Sequence, residues 1–288
     1  MSAYTNLLTV RNVADLRSQI AAWHVAGDSV ALVPTMGALH DGHMALISRG
    51  HEMASKVCAT LFVNPTQFGE NEDLDSYPRP EKQDKAKLSD AGVDLLYAPT
   101  ASEMYGEGDA TRITVDGLGD RLEGAYRPGF FTGVATVVTK LLLQALPDVA
   151  LFGEKDFQQL QVIKRLVQDL NIPVTIEGVP CVREANGLAL SSRNAYLSDE
   201  ERAIAPSLNK VMVEMVENMR AGMEGQKCSE MAKAALLQAG FTSVDYLVAC
   251  DATDLIEIST YDDLGGKLGR LMGAAWLRNT RLIDNLSL

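Results

Sequence analysis

Five short apolar runs set the rhythm of this chain: "SVALVPT" (29–35), "VCATLFVN" (57–64), "VDLLYAP" (93–99), "VALFG" (149–153) and "VTIEGV" (174–179). Continuous apolar runs of this length form parallel strands buried on both faces. Parallel neighbours need a crossover, and helical spacing supplies one near 10–26, 42–54, 81–91, 132–145 and 156–170. The first of these helices (Val13, Leu16, Ile20, Trp23) stops at Gly27, a natural cap. The alternation predicts an α/β fold, a doubly wound, Rossmann-like domain with a mainly parallel sheet over residues 1–181. Ligands of such sheets bind beyond the carboxyl ends of the strands, where the loops 34–43, 64–68 and 153–156 would sit.

The rhythm breaks after residue 181. "VREANGLALSSRNAYL" is a polar connection, and Ser198 with Glu201 makes a capping box for a helix running to about residue 220. A second helix is expected near 229–239. "SVDYLVACD", "RLMGAAWL" and "TRLIDNLSL" then read as strands without helices between them. Residues 182–288 are therefore expected to form a smaller C-terminal α+β domain with an antiparallel sheet, placed to act as a lid.

Charge narrows the partners. A net charge of -12 leaves no basic face for nucleic acid, although a few lysines and arginines can still converge on a nucleotide. Cys58, Cys181, Cys228 and Cys250 lie far apart without a C-x-x-C pair, which argues against structural zinc and for buried thiols in a reducing cytoplasm. The first residues lack a basic segment followed by an apolar run, and no apolar stretch reaches about 18 residues, so a cytoplasmic protein without a membrane partner is expected.

Four stretches carry candidate chemistry. In "VPTMGALHDGH", Pro34 ends a strand, Gly37 and Gly42 remove side chains where backbone would approach a ligand, and His40 and His43 fall on one side of a helix start. Helix N–H groups and imidazole donors together suit a phosphate. An isolated H-x-x-H is more often a pair of surface histidines; the strand and glycine context favours binding. In "GEKDFQQL", Lys155 offers a point charge, Asp156 a helix cap or a ribose acceptor, and Gln159 a group one turn further on, against the alternative of an ordinary charged helix start. "LALSSRN" (188–194) places Arg193 to fork onto phosphate oxygens, though the same residues make good loops. In "FVNPTQF", Asn64 and Gln67 follow a strand, where a loop amide usually serves its own backbone. The acidic segment 69–84 holds carboxylates that suit Mg²⁺, but most of its charges read as solvated. His24 and His51 have no assigned role.

Together with "EGAYRPGFFTGV" (123–134), these stretches in this order resemble the pantothenate synthetases, over essentially the whole chain to the terminal "RLIDN". That family lies among nucleotidyltransferases with a histidine–x–glycine–histidine motif. The resemblance implies ATP-driven condensation of pantoate with β-alanine through a pantoyl adenylate, releasing AMP and pyrophosphate, with Mg²⁺ and in a homodimer joined through the larger domain. It implies ATP contacts from Met36, Gly37, Ala38, Leu39, His40, Asp41, Gly42 and His43, then Gly153, Glu154, Lys155 and Asp156, then Val182, Leu190, Ser191, Ser192 and Arg193. His43 would be the proton donor, with His40, Lys155 and Arg193 stabilising charge. Gln67 and Gln159 would hold pantoate, Gln67 also bordering β-alanine; no metal ligand is assigned. Asn64, Glu123 and Arg127 lie in matching stretches with less definite roles. Phe130 stands where relatives commonly carry histidine, so the wall near the second substrate is expected to differ. Three rivals are an adenylyltransferase that stops at the adenylylated product, an RNA-binding synthetase-like protein and a silent nucleotide-binding module. The acidic balance opposes the second, and AMP release that needs both substrates excludes the others.

Overall fold

The structure, a computed structural model, describes residues 7–69 and 72–288. In chain order the first part comprises β1 (Leu8–Val10), α1 (Val13–Ala26), β2 (Val30–Val33), α2 (Asp41–Met53), β3 (Lys56–Thr60), α3 (Glu81–Asp90) and β4 (Leu95–Tyr97). Two short helices follow, α4 (Ala101–Met104) and α5 (Glu123–Tyr126), then α6 (Phe130–Ala145), β5 (Val149–Gly153), α7 (Phe157–Asp169) and β6 (Thr175–Val179). The strands form one sheet in the order β1-β4-β3-β2-β5-β6, and every pairing is parallel.

Both faces of the sheet are covered, which is why β2 and β4 are buried at every residue. Leu16 and Ile20 of α1 pack with α6 and with Leu160 and Ile163 of α7 on one face. Leu46 and Ile47 of α2 join Leu88 of α3 on the other. Asn12 caps α1 by accepting from the Asp15 amide, and the left-handed Gly27 closes it as expected. The sequence does not predict the edge strand β1, because three residues carry no readable period and the helical spacing of the next segment runs over its last residue. The sheet's order reverses at its centre. β2 leads outward to β3 on one side, while its other neighbour, β5, leads to β6. The loops after β2 and β5 therefore diverge and leave a crevice between them.

The second part comprises α8 (Asp199–Ile204), α9 (Ser207–Arg220), α10 (Gly225–Ala239), β7 (Ser243–Asp251), β8 (Gly269–Leu277) and β9 (Thr280–Ser287). The capping box of Ser198 and Glu201 is present, but the single helix expected to residue 220 is two. Pro206 sits at the break, since it has no N–H for the ladder and its ring crowds the preceding turn. The antiparallel sheet β7-β8-β9 packs α9 and α10 through Leu208, Met212, Met215 and Leu236. Tyr246, Cys250 and Met272 instead join the cluster built by α6 and α7, docking the second part onto the first. Among the described residues, no helix is long and apolar enough to cross a membrane.

Candidate active site

The loop after β2 is shaped from beneath. Gly37 has φ 87, and a Cβ there would meet Asp84 Oδ2 at 3.1 Å. Ala38 follows at φ 51, a left-handed conformation an alanine adopts only when held. Asp84, buried on α3, supplies the hold: its two oxygens accept from the amides of Ala38 at 2.8 Å and Leu39 at 2.9 Å. The chain then reaches His40, the extended N-cap of α2.

Two imidazoles cap this helix reciprocally. His40 Nδ1 accepts from the Gly42 amide at 3.1 Å, and His43 Nδ1 accepts from the His40 amide at 3.2 Å, with ring centroids 4.2 Å apart. A Cβ on residue 42 would lie 2.9 Å from His40 Cε1. Gly42 thus makes room for a ring of its own chain, a requirement that the sequence did not reveal. With both Nδ1 atoms accepting, each neutral ring carries its proton on Nε2 and keeps one donor. Burial, reinforced by Lys155, lowers the pKa of His40. Burial, followed by His40, Lys155 and Lys87, lowers that of His43 to about 3. Both rings are therefore neutral at pH 7.

After β5, a 3-10 turn (Glu154–Asp156) enters α7. Lys155 Nζ lies 3.5 Å from Asp156 Oδ1, and the carbonyls of Glu154 and Lys155 both accept from Asn285 Nδ2 of β9 at 2.9 Å. Asp156 forms no side-chain cap, contrary to one of its two expected roles. The carboxylate of Glu154 turns to Arg270 at 3.0 Å. Across the crevice, buried Asn64 accepts from the Thr66 amide and from Tyr105 Oη, and donates to Gly133 O and to Gln67 Oε1 at 3.1 Å. Asn64 thus braces its turn and aims Gln67, whose Nε2 lies 3.0 Å from Met36 Sδ.

The arginines are not free. Arg193 forks onto Asp73 at 2.9 Å and 3.2 Å, whereas the sequence left that fork open for phosphate. Arg127 holds Glu72 through Nε at 2.7 Å, reaches Gln67 O at 3.2 Å and Glu123 at 3.3 Å, and lies 3.7 Å over the ring of Phe130. Phe130, where the resemblance led us to expect histidine, supplies the face on which Arg127 rests. The acidic segment is accordingly less solvated than expected: Glu72, Asp73 and Asp84 each hold partners 55, 120 and 46 residues away. Its Glu70 and Asn71 lie outside the described residues, as do residues 1–6 of the N-terminal stretch read for a leader. Glu123 is buried under Arg281 of β9, with both oxygens at 2.7 Å, and under Tyr246.

These parts border one cleft of about 1100 Å³. Met36, His40, Gly42, His43, Gln67, Gly153, Lys155, Asp156, Gln159, Val182, Leu190, Ser191, Ser192 and Arg193 line it. Ser192 Oγ donates to Ala38 O at 3.1 Å, so two stretches distant in sequence meet directly. Gly37, Ala38, Leu39, Asp41 and Glu154 are not in its wall: the first three form the braced turn beneath it, Asp41 faces solvent and Glu154 faces Arg270. Arg281 and Asn285 escaped the sequence reading, although "RLIDN" was in view, because their partners lie far back in the chain.

Neutral imidazole donors, a lysine and two arginines at the switch point of a parallel sheet, under a small antiparallel domain, define an α/β enzyme that works on anionic substrates between two lobes. The family described as Pantoate-beta-alanine ligase matches residues 8–287. Relatives include the pantothenate synthetases of Paramagnetospirillum magneticum, 57% identical over 96% of both chains, and of Caulobacter vibrioides, 50% identical over 98% of this chain and 99% of that one. Among solved structures, the Thermus thermophilus pantothenate synthetase superposes with a TM-score of 0.89 at 45% identity, covering 97% and 98% of the two chains. The Francisella tularensis pantoate-beta-alanine ligase, solved complexed with beta-gamma ATP and beta-alanine, gives 0.82 at 30% identity over 98% and 97%. The chain belongs to the pantoate-beta-alanine ligase family.

Proposed function

We propose that the cleft binds ATP, pantoate and β-alanine, activates pantoate as its adenylate, and transfers the pantoyl group to the amine of β-alanine with release of AMP. The observation that carries this reading is the reciprocal imidazole cap, which leaves two neutral Nε2–H donors beside Lys155 at the switch point. A carboxylate is a poor electrophile until its leaving oxygen is part of AMP. The pantoate carboxylate attacks the α-phosphorus as pyrophosphate departs, and charge grows on the phosphate oxygens. Fixed donors at those oxygens lower the barrier because they need no reorganisation. His43, the proton donor of the resemblance, acts here through its neutral Nε2–H as a hydrogen-bond donor to the leaving group, with His40, Lys155 and Arg193 assisting; the ATP-facing side comprises Met36, Gly42, Gly153, Asp156, Val182 and Leu190 to Ser192. Gln67, aimed by Asn64, and Gln159 hold pantoate, and Gln67 also borders β-alanine.

Mg²⁺ bound with the triphosphate would neutralise part of its charge and would need only one or two protein carboxylates. Among the described residues no group of three metal-ligating side chains converges, and Asp156, half exposed beside Lys155, is the carboxylate we place nearest that ion. In this reading the boundary between lobes falls at residues 181 and 182, with the C-terminal lobe as a lid that excludes water from the adenylate; equal hydrogen exchange in that lobe with and without ATP would count against it. A cytoplasmic homodimer joined through the larger lobe completes the reading, and a monomeric mass in solution would remove that part. The Francisella complex supports ATP and β-alanine as ligands.

The deciding experiment measures AMP formed from ATP and Mg²⁺ with pantoate, with β-alanine, and with both. Steady release that needs both supports the ligase, with a small burst from pantoate alone marking the adenylate. Release indifferent to β-alanine points to an adenylyltransferase instead.

A further inference from the structure

Two neighbouring residues of one turn, Glu72 and Asp73, reach two arginines that are 66 residues apart in sequence and stand on different walls of the cleft. We propose that these carboxylates are internal stand-ins for the substrates' anionic groups: a substrate carboxylate replaces Glu72 on Arg127, and ATP phosphate replaces Asp73 on Arg193. The inference rests on the ligase reading above.

The chemistry is that of the guanidinium fork, which matches a carboxylate and a phosphate equally well. Asp73 takes the Nε and Nη2 edge of Arg193, and Glu72 takes the same edge of Arg127. A fork so engaged cannot also meet a substrate oxygen through those two hydrogens, so binding through it is an exchange. Arg127 does not need Glu72 to stay in place. Glu123 holds its Nη1, Gln67 O its Nη2, and the Phe130 ring its face, so the outward edge can change partner without the arginine moving. The pairs are also within reach of water, with Glu72 and Asp73 side chains 28% and 23% exposed. Partial exposure weakens each pair enough for displacement. Gln67 stands beside Arg127, so the anion exchanged there is the carboxylate of pantoate or of β-alanine.

The sign of the effect sets this apart from a bracing role. Removing a competing carboxylate tightens substrate binding, whereas removing a brace loosens it. The test uses the full-length Glu72→Gln and Asp73→Asn enzymes, with Asp73→Ser in reserve should the asparagine variant fail to fold. ATP binding with Mg²⁺ alone is measured by calorimetry, and KM is measured for pantoate and for β-alanine. Asp73→Asn is expected to lower the Kd for ATP about three- to tenfold at low ionic strength, and less in high salt. Glu72→Gln is expected to leave ATP binding alone and to lower the KM of one carboxylate substrate, which identifies the partner of Arg127. Unchanged or weaker binding of ATP by the Asp73 variants overturns the exchange at Arg193; unchanged or raised KM for both acids in Glu72→Gln overturns it at Arg127. A wild-type enzyme that binds ATP but makes no AMP from both acids defeats the ligase reading instead, and leaves the ATP arm readable.

Discussion

His43 lies half-buried in the cleft wall beside His40, with ring centroids 4.2 Å apart, and it spends its Nδ1 on a backbone amide. What remains is one Nε2–H donor on a ring that stays uncharged throughout the ordinary pH range. Replacing His43 by alanine should slow adenylate formation by roughly 10²–10³, the usual loss for one positioned donor, with near-native thermal unfolding. A mild loss in single-turnover AMP formation would reduce His43 to a shaping role. The depressed pKa also has a consequence for stability. Between about 3 in the folded chain and 6.5 in the unfolded one, only the unfolded chain takes up this proton. The contribution is complete above pH 6.5 and is lost as pH falls toward 3, at about 1.4 kcal/mol per pH unit for one proton. Urea midpoints from pH 7 to pH 4.5 should therefore fall more steeply for the native protein than for His43→Gln. Parallel slopes would contradict a neutral buried imidazole.

Elements translate such single contacts into placement. α2 starts where it does because His40 caps it and Gly42 leaves space for the ring, so Gly42→Ala separates helix propensity from site geometry. Alanine favours a helix by about 1 kcal/mol over glycine, yet its Cβ would strike His40 Cε1 at 2.9 Å. The expected outcome is unchanged or higher melting temperature with adenylate formation lowered about tenfold or more, since small misplacements of a donor are costly. The elements themselves were largely legible. Apolar runs marked the five strands β2 to β6, Gly27 closed α1, and Ser198 with Glu201 opened α8. Legibility failed where no period exists, as in the three-residue β1, or where one residue interrupts a strong pattern, as Pro206 does between α8 and α9. It failed too for the acidic segment, since local composition cannot distinguish a solvated carboxylate from one whose cation lies 120 residues downstream.

At the scale of the molecule, the terminal strand fastens the lobes together. Arg281 of β9 binds Glu123 and Asp245, while Asn285 holds the turn that carries Lys155. Glu123→Ala leaves a buried guanidinium short of its main partner and is expected to destabilise the protein by about 3–5 kcal/mol, whereas a double variant with Arg281→Met should recover much of that loss. Additive losses in urea unfolding would show that the two residues do not act as a pair. The sequence by itself determined the strand and helix rhythm, the fold class and the stretches that meet at the strand ends, because periodicity, capping and turn chemistry are local. Only the tertiary structure decided what those residues do on arrival: that Gly42 serves a histidine, that Asp84 is a brace, that Asp73 occupies the fork of Arg193, and that Phe130 carries Arg127. Each of these is a pairing between distant segments, and pairing depends on which surfaces the folded backbone brings within a few ångströms, a quantity that no local pattern encodes.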